Sequence, residues 1–344
     1  MVDGRAVTVA ELEALCTSVQ LCQRLVDTPT CILDTVVFAE IAQAYARELG
    51  AGVELIKGEE LRERGYGGIY SVGRGAEFPP HLLTLHYVNN AADAAAKNIA
   101  LVGKGIVYDC GGLAIKPATG MVNMKTDMAG AASVLCGFIA VVRGMKIQPD
   151  RYKHVRHLSV TLCLAENAIS AGSYRNGDIV FLKSGKSVEV INTDAEGRIV
   201  LGDGVYYASG EQSFVPDILI DMATLTGAQG IATGTNHAAL YVSDADVEQA
   251  LLKAGRLCGD TCFPVLYSPE HHKPQFKSKF ADMTNLMPKG TDGGVSCGGY
   301  FVESHLSEKF TGAFAHVDLA FPSSNDNGAT GFGVNLIAEY LRML

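Results

Sequence analysis

Residues 9–26, VAELEALCTSVQLCQRLV, repeat apolar side chains at the spacing of a helix, and Asp27-Thr28-Pro29-Thr30 stops the pattern. Beyond Ile32 the period switches back and forth. It is helical near 35–48, then extended over LLTLHYV at 82–88 and NIALVGKGIVYD at 98–109. The unbroken apolar run KNIALVG reads as a strand covered on both faces. The spacing next predicts a helix from near Asp127 through AGAASVLCGFIAVVRG and a buried strand over VRHLSVTLCLAEN. Strands over SVEVINTDAEG and DILIDMATL then alternate with helices over RIVLGDGVYYASG and DADVEQALLKAGRL. FAHVDLA and GVNLIAEYLRML supply a last strand and a closing helix. This alternation predicts an α/β fold with a central, mainly parallel mixed sheet flanked by helices. No Pro- or Ser-rich linker interrupts it, so residues 1–27 read as a leading helix and 28–344 as one domain. The only long loop-like stretch is 285–299.

Composition narrows the function. With 344 residues, 48% of them hydrophobic, the chain can bury a sizeable core, and 38 glycines without a repeat argue for many tight turns. Twenty-eight Lys+Arg against 37 Asp+Glu give a net charge of -9, the wrong sign for nucleic acid as a main partner. Cys110, Cys136 and Cys163 sit in apolar surroundings and read as buried, reduced thiols of a cytoplasmic protein. Cys258 and Cys262, four apart on a predicted helix, lack a second pair at zinc-finger spacing and read as packing residues. The run AASVLCGFIAVV at 131–142 is too short to span a bilayer. The acidic N-terminus has no uninterrupted apolar run, so neither a signal peptide nor a membrane partner is expected.

The segment NTDAEGR at 192–198 carries the chemistry. On a strand, Asp194 and Glu196 would share a face roughly 7 Å apart, with Ala195 pointing away. Two carboxylates that close require a proton or a cation between them. Lys104, Asp109 and Asp127 also fall at predicted strand or helix ends, where ligands of open α/β sheets gather. Asp109, Asp127, Asp194 and Glu196 offer four negative charges, which match two divalent cations, with Lys104 joining as a neutral amine. Oxygen ligands suit Mn²⁺ or Mg²⁺, and an amine nitrogen admits Zn²⁺ or Co²⁺. Singly these residues have ordinary readings: an Asp at a strand end caps turns, and a Lys in VGKG is solvated. Gly103, Gly105, Gly111 and Gly112 read as turn formers in the same way.

NTDAEGR, with VGKGIVYDCGGLAIKP, TDMAGAA and DMATLTGA in the same order, resembles the leucyl aminopeptidases, the cytosolic di-metal peptidases of M17 type, across residues 20–344. Within that family the chain resembles the animal branch of aminopeptidase-like proteins. The resemblance implies that Lys104, Asp109, Asp127, Asp194 and Glu196 hold two adjacent metals, Zn²⁺ or Mn²⁺, with Mg²⁺ or Co²⁺ admissible. It implies Lys116 as the catalytic lysine that stabilises an oxyanion, and Arg198 as the holder of a bicarbonate general base. Met124, Asn192, Ala195, Thr224, Leu225 and Gly227 would line the substrate pocket for an apolar N-terminal residue such as Leu or Met. It also implies peptide substrates, a homohexamer and a cytoplasmic location. The family's N-terminal α/β domain is not expected in this chain. Cys110, Ala129 and Asn176 stand where the family usually has Ser, Gly and Pro, and none of these changes removes a ligand.

Rival readings are weaker. A catalytically silent relative acting as a metal-binding scaffold would not be expected to keep all seven chemical positions. GAQGIATG at 227–234 is glycine-rich but lacks the dinucleotide spacing. There is no H-E-x-x-H. His271-His272 read as exposed loop residues, and His316 as a core or sheet-end residue.

Overall fold

The structure, a computed structural model, describes residues 7–287 and 293–344. Helix α1 (Val9–Asp27) starts on a reciprocal cap in which Thr8 and Glu11 each take the other's backbone N–H. Helix α2 (Thr35–Leu49) starts with the Asp34 carboxylate accepting from Val36 and Val37 N–H and stops at Gly50, whose φ of 67° favours glycine. Strands β1 (Gly52–Lys57) and β2 (His81–Val88) lead to β3 (Lys97–Asp109). Next come α3 (Ala129–Ile147), β4 (Val155–Asn167), α4 (Gly197–Gly210) and β5 (Ile218–Ala223). The chain continues through β6 (Ala238–Val242), α5 (Ala245–Cys258), β7 (Cys262–Pro264), α6 (Gly294–Glu303), β8 (Ala313–Asp318) and α7 (Val334–Met343).

The sheet runs β1-β2-β4-β3-β5-β8-β6-β7. Its centre, β4-β3-β5-β8, is parallel, while β1, β2 and the β6–β8 pair are antiparallel, as the mainly parallel mixed sheet requires. Residue alternation splits the core. Ile99 and Leu101 of β3 join α1, α2, α3, α5 and α7 on one face, whereas Ala100, Val102 and Ile106 join α4 and α6 on the other. Each fully buried Leu or Ile contributes roughly 1.5–3 kcal/mol. Lys104 falls on the α4 side by the same alternation, and this brings its side chain to the start of α4.

Helical residues Met124–Ile147 have the length and composition to cross a membrane, but 94% of that window is buried inside the protein, so this is a core helix. Its close packing explains two glycines differently from the turn reading. Gly103 and Gly105 lie within β3, and a Cβ on Gly103 would come within 2.5 Å of the Ala131 Cα of α3. Gly111 and Gly112 do form a turn, with φ of 86° and 60°.

Several expectations are corrected. The strand predicted over SVEVINTDAEG is only Ser187–Glu189, and 192–196 form a turn entering α4. The 285–299 stretch is helical from Gly294, while 288–292 lie outside the described residues. Cys258 ends α5 and Cys262 begins β7, so the two do not share a helix. Cys110 is half-buried, and its thiol donates to the Asn167 carbonyl at 2.9 Å. His271 is exposed, but His272 is buried on the short helix Pro269–His272, its Nδ1 3.7 Å from the Cys297 Sγ.

Candidate active site

The carboxyl ends of β3, β5 and β8 and the start of α4 converge on one cavity of about 450 Å³. Asp109 is the last residue of β3, set by an irregularity in its pairing with β4 after Ile106. Asp127 comes from the 3₁₀ turn Met124–Met128 leading into α3. Asp194 and Glu196 come from the turn before α4, so the strand alternation is not what pairs them. Ligand oxygens of Asp109, Asp194 and Glu196 nonetheless lie within 4.8 Å of one another.

Two lysines are set among these carboxylates. Lys104 Nζ stands 2.7 Å from Asp127 Oδ1 and 3.1 Å from Glu196 Oε1, and it donates to the Thr224 carbonyl at 2.9 Å. Lys116 Nζ stands 2.8 Å from Asp109 Oδ2 and 2.5 Å from Asp194 Oδ1. Burial works against both ammonium groups, but the carboxylates outweigh it and hold them above their ordinary values. The chain alone therefore keeps Lys104 charged, and coordination as a free amine requires incoming cations to displace its proton.

Positive charge is still short. Burial is the largest influence on Asp127, Asp194 and Glu196, and it raises all three despite the lysines. Asp127 Oδ2 is buried and has no hydrogen-bond partner among the described residues. Four carboxylates, one amine and an unpartnered acceptor form a donor set that fits divalent cations with mainly oxygen coordination.

The remaining residues divide into cavity wall and support. Met124, Ala195, Thr224, Leu225 and Gly227 line the cavity, and Lys116 and Arg198 reach it. Asn192 does not line it. Its side-chain oxygen accepts from Asp194 N–H at 2.9 Å and its carbonyl accepts from Asn285 Nδ2 at 2.6 Å, so it shapes the carboxylate turn. The Thr224 hydroxyl donates to Asp127 Oδ1 at 2.8 Å. Arg198 is 4% exposed, with Nε and Nη1 unpartnered among the described residues and its guanidinium 5.9 Å above the Phe301 ring. Burial lowers its pKa to about 10, and the arrangement suits an anion.

Other site residues were absent from the sequence reading. Thr126, Thr226, Ala320 and Phe321 also line the cavity. Asp318 takes Leu225 N–H at 3.1 Å and the Thr226 hydroxyl at 2.7 Å, and so fixes the 224–227 wall. Ala320 and Phe321 follow β8, so the strand-end rule that flagged Asp109 also reaches them. Asn285 carried no such signal. His316 lies inside the sheet, wholly buried, 2.7 Å from Asp221.

Comparison with known proteins gives the family of the chain. Residues 20–338 match the catalytic domain of the cytosol aminopeptidase family. The chain is 45% identical over 339 residues to probable aminopeptidase NPEPL1 of Homo sapiens, covering 97% of this chain and 62% of that protein. It aligns with the leucyl aminopeptidase from Leishmania major in complex with actinonin at a TM-score of 0.99 and 66% identity, over 100% of this chain and 64% of that one. The bottromycin maturation enzyme BotP in complex with Mn aligns at 0.86 and 32% identity, over 97% of this chain and 71% of that one. The chain thus spans less than two thirds of the length of the first two. It belongs to the cytosol aminopeptidase family, whose catalytic domain it matches over residues 20–338.

Proposed function

We propose that the chain is a metal-dependent aminopeptidase that removes an apolar N-terminal residue, Leu or Met among them, from peptides. The observation that carries this reading is the convergence of four carboxylates and two lysines on a single cavity at the ends of the parallel strands. Lys104, Asp109, Asp127, Asp194 and Glu196 would hold two divalent cations, Zn²⁺ or Mn²⁺, with Mg²⁺ or Co²⁺ as alternatives. Bound there, the cations would activate a water molecule and polarise the scissile carbonyl.

The chain's own groups supply the rest. Lys116, oriented by Asp109 and Asp194, offers an ammonium to the oxygen that gains charge as the carbonyl becomes tetrahedral. Arg198, with two guanidinium nitrogens unpartnered among the described residues, would hold bicarbonate, which would supply a general base there. Met124, Thr224, Leu225, Ala195 and Gly227 enclose the first side chain and separate similar apolar residues by about 1–3 kcal/mol per methylene. Asn192 acts in this reading by shaping the turn beside the substrate. A cavity of about 450 Å³ suits the end of a peptide better than a folded chain.

Hydrolysis of a leucine anilide tests the reading. No turnover is expected in EDTA, with recovery on adding Mn²⁺, Co²⁺ or Zn²⁺. Bound cation without turnover for every metal would favour a scaffold instead. We further propose residues 28–344 as the catalytic unit with 1–27 as its leading helix, a cytoplasmic location matching the name of the cytosol aminopeptidase family, and a homohexamer. Sedimentation giving only monomer at micromolar concentration would remove the hexamer.

A further inference from the structure

Asn167, the last residue of β4, is wholly buried and lies beside Asp109, its register partner at the end of β3. Its Nδ2 is 2.8 Å from Asp109 Oδ1, 3.0 Å from the Thr193 carbonyl and 3.4 Å from Glu196 Oε2. One amide nitrogen thus spans two carboxylates contributed by different elements and ties them to the turn that carries Asp194. The orientation of the amide follows from these three acceptors, since the reverse would set its oxygen against two carboxylates. Its Oδ1 has no donor among the described residues. Gly112 makes room for this arrangement, because a Cβ there would come within 2.8 Å of Asn167 Oδ1.

We propose that Asn167 is a positioning residue for cation binding, and this rests on the metal-dependent reading of the same cavity. Two N–H bonds shared among three oxygens hold the Asp109 and Glu196 carboxylates in fixed rotamers near each other before a cation arrives. Without that tether, mutual repulsion turns the two groups apart, and binding must first bring them back. A neutral donor is suited to the task, because it steadies both carboxylates without cancelling the charge that attracts the cation. An added lysine would compete with the cation, and an aspartate would repel both neighbours. Groups that hold metal ligands in place commonly change affinity by about 10–100-fold when removed.

The test compares Mn²⁺ binding by calorimetry in the full chain with thermal stability in EDTA. Asn167→Ala is expected to weaken Mn²⁺ binding by about 10–100-fold and to lower leucine anilide hydrolysis at limiting Mn²⁺ more than at saturating Mn²⁺. Asn167→Ser, which keeps a polar group too short to span both carboxylates, should show the same loss and serves as the readout if the alanine variant does not fold. Unchanged Mn²⁺ affinity in either folded variant, or a loss of stability equal with and without Mn²⁺, would overturn the proposal. If the unmodified chain itself bound no divalent cation, the metal-dependent reading would fall first and take Asn167 with it.

Discussion

Lys116→Ala is expected to lower kcat on a leucine anilide by about 10²–10³ while leaving divalent-cation binding intact. The Lys116 ammonium stands within 2.8 Å of Asp109 and 2.5 Å of Asp194. Its side chain is 16% exposed and reaches the cavity beside the carboxylates, where the proposed reading puts the scissile carbonyl. On that reading, removing it deletes a donor to the tetrahedral oxygen, and it also deletes positive charge next to two carboxylates. Cation affinity should therefore stay the same or rise. Rate assays with Mn²⁺ binding measured on the same preparation separate the two effects. A collapse of cation affinity, or a rate within about threefold of the parent, would refute the oxyanion role.

Glu196→Gln is expected to have the opposite profile and a larger effect. Glu196 is 1% exposed and shares ligand distance with Asp109 and Asp194. Losing one charged ligand removes several kcal/mol of cation-derived stabilisation, which corresponds to a rate loss of about 10²–10⁴. The cation-free protein should gain. Burial, followed by Asp109, raises the Glu196 carboxyl above its ordinary 4.5. The folded chain then holds this proton more tightly than the unfolded one, so this group favours folding at low pH and that benefit fades as pH climbs above about 4.5. The neutral amide is free of that loss, although it forgoes the ion pair with Lys104 at 3.1 Å. Melting in EDTA should therefore show Glu196→Gln at least as stable as the parent at pH 8, with its advantage shrinking toward pH 5. A variant markedly less stable at pH 8 would mean that the Lys104 pair outweighs burial. Stability gained as activity is lost is the expected signature of a site whose strain serves function.

Most of the architecture could be read from periodicity, because long apolar segments such as 98–109, 129–147 and 155–167 commit both of their faces to the core. The acidic residues were legible only as a set: singly an Asp at a strand end caps turns, but four carboxylates and a lysine in this order ask for cations. Local geometry was harder to see. The strand alternation invoked for Asp194 and Glu196 does not exist; a turn and a helix start bring the two oxygens close instead. Gly197 opens α4, and its missing side chain leaves room for Lys104, whose Cε would lie 2.5 Å from a Cβ there. No inspection of NTDAEGR reveals this, because the constraint comes from a residue far back in the chain. Asn285 and Asn167 were missed on the same grounds, since an asparagine gains its meaning from the groups it meets in the fold.

The central claim is that this acidic pocket holds a pair of cations, and anomalous diffraction from crystals of the chain soaked in Mn²⁺ tests it most directly. Two peaks are expected within coordination distance of Asp109, Asp127, Asp194 and Glu196, with Lys104 Nζ drawn from its present ion pairs toward one of them. Saturating Mn²⁺ that leaves the pocket without peaks, with Lys104 still bound to Asp127 and Glu196, would contradict the account.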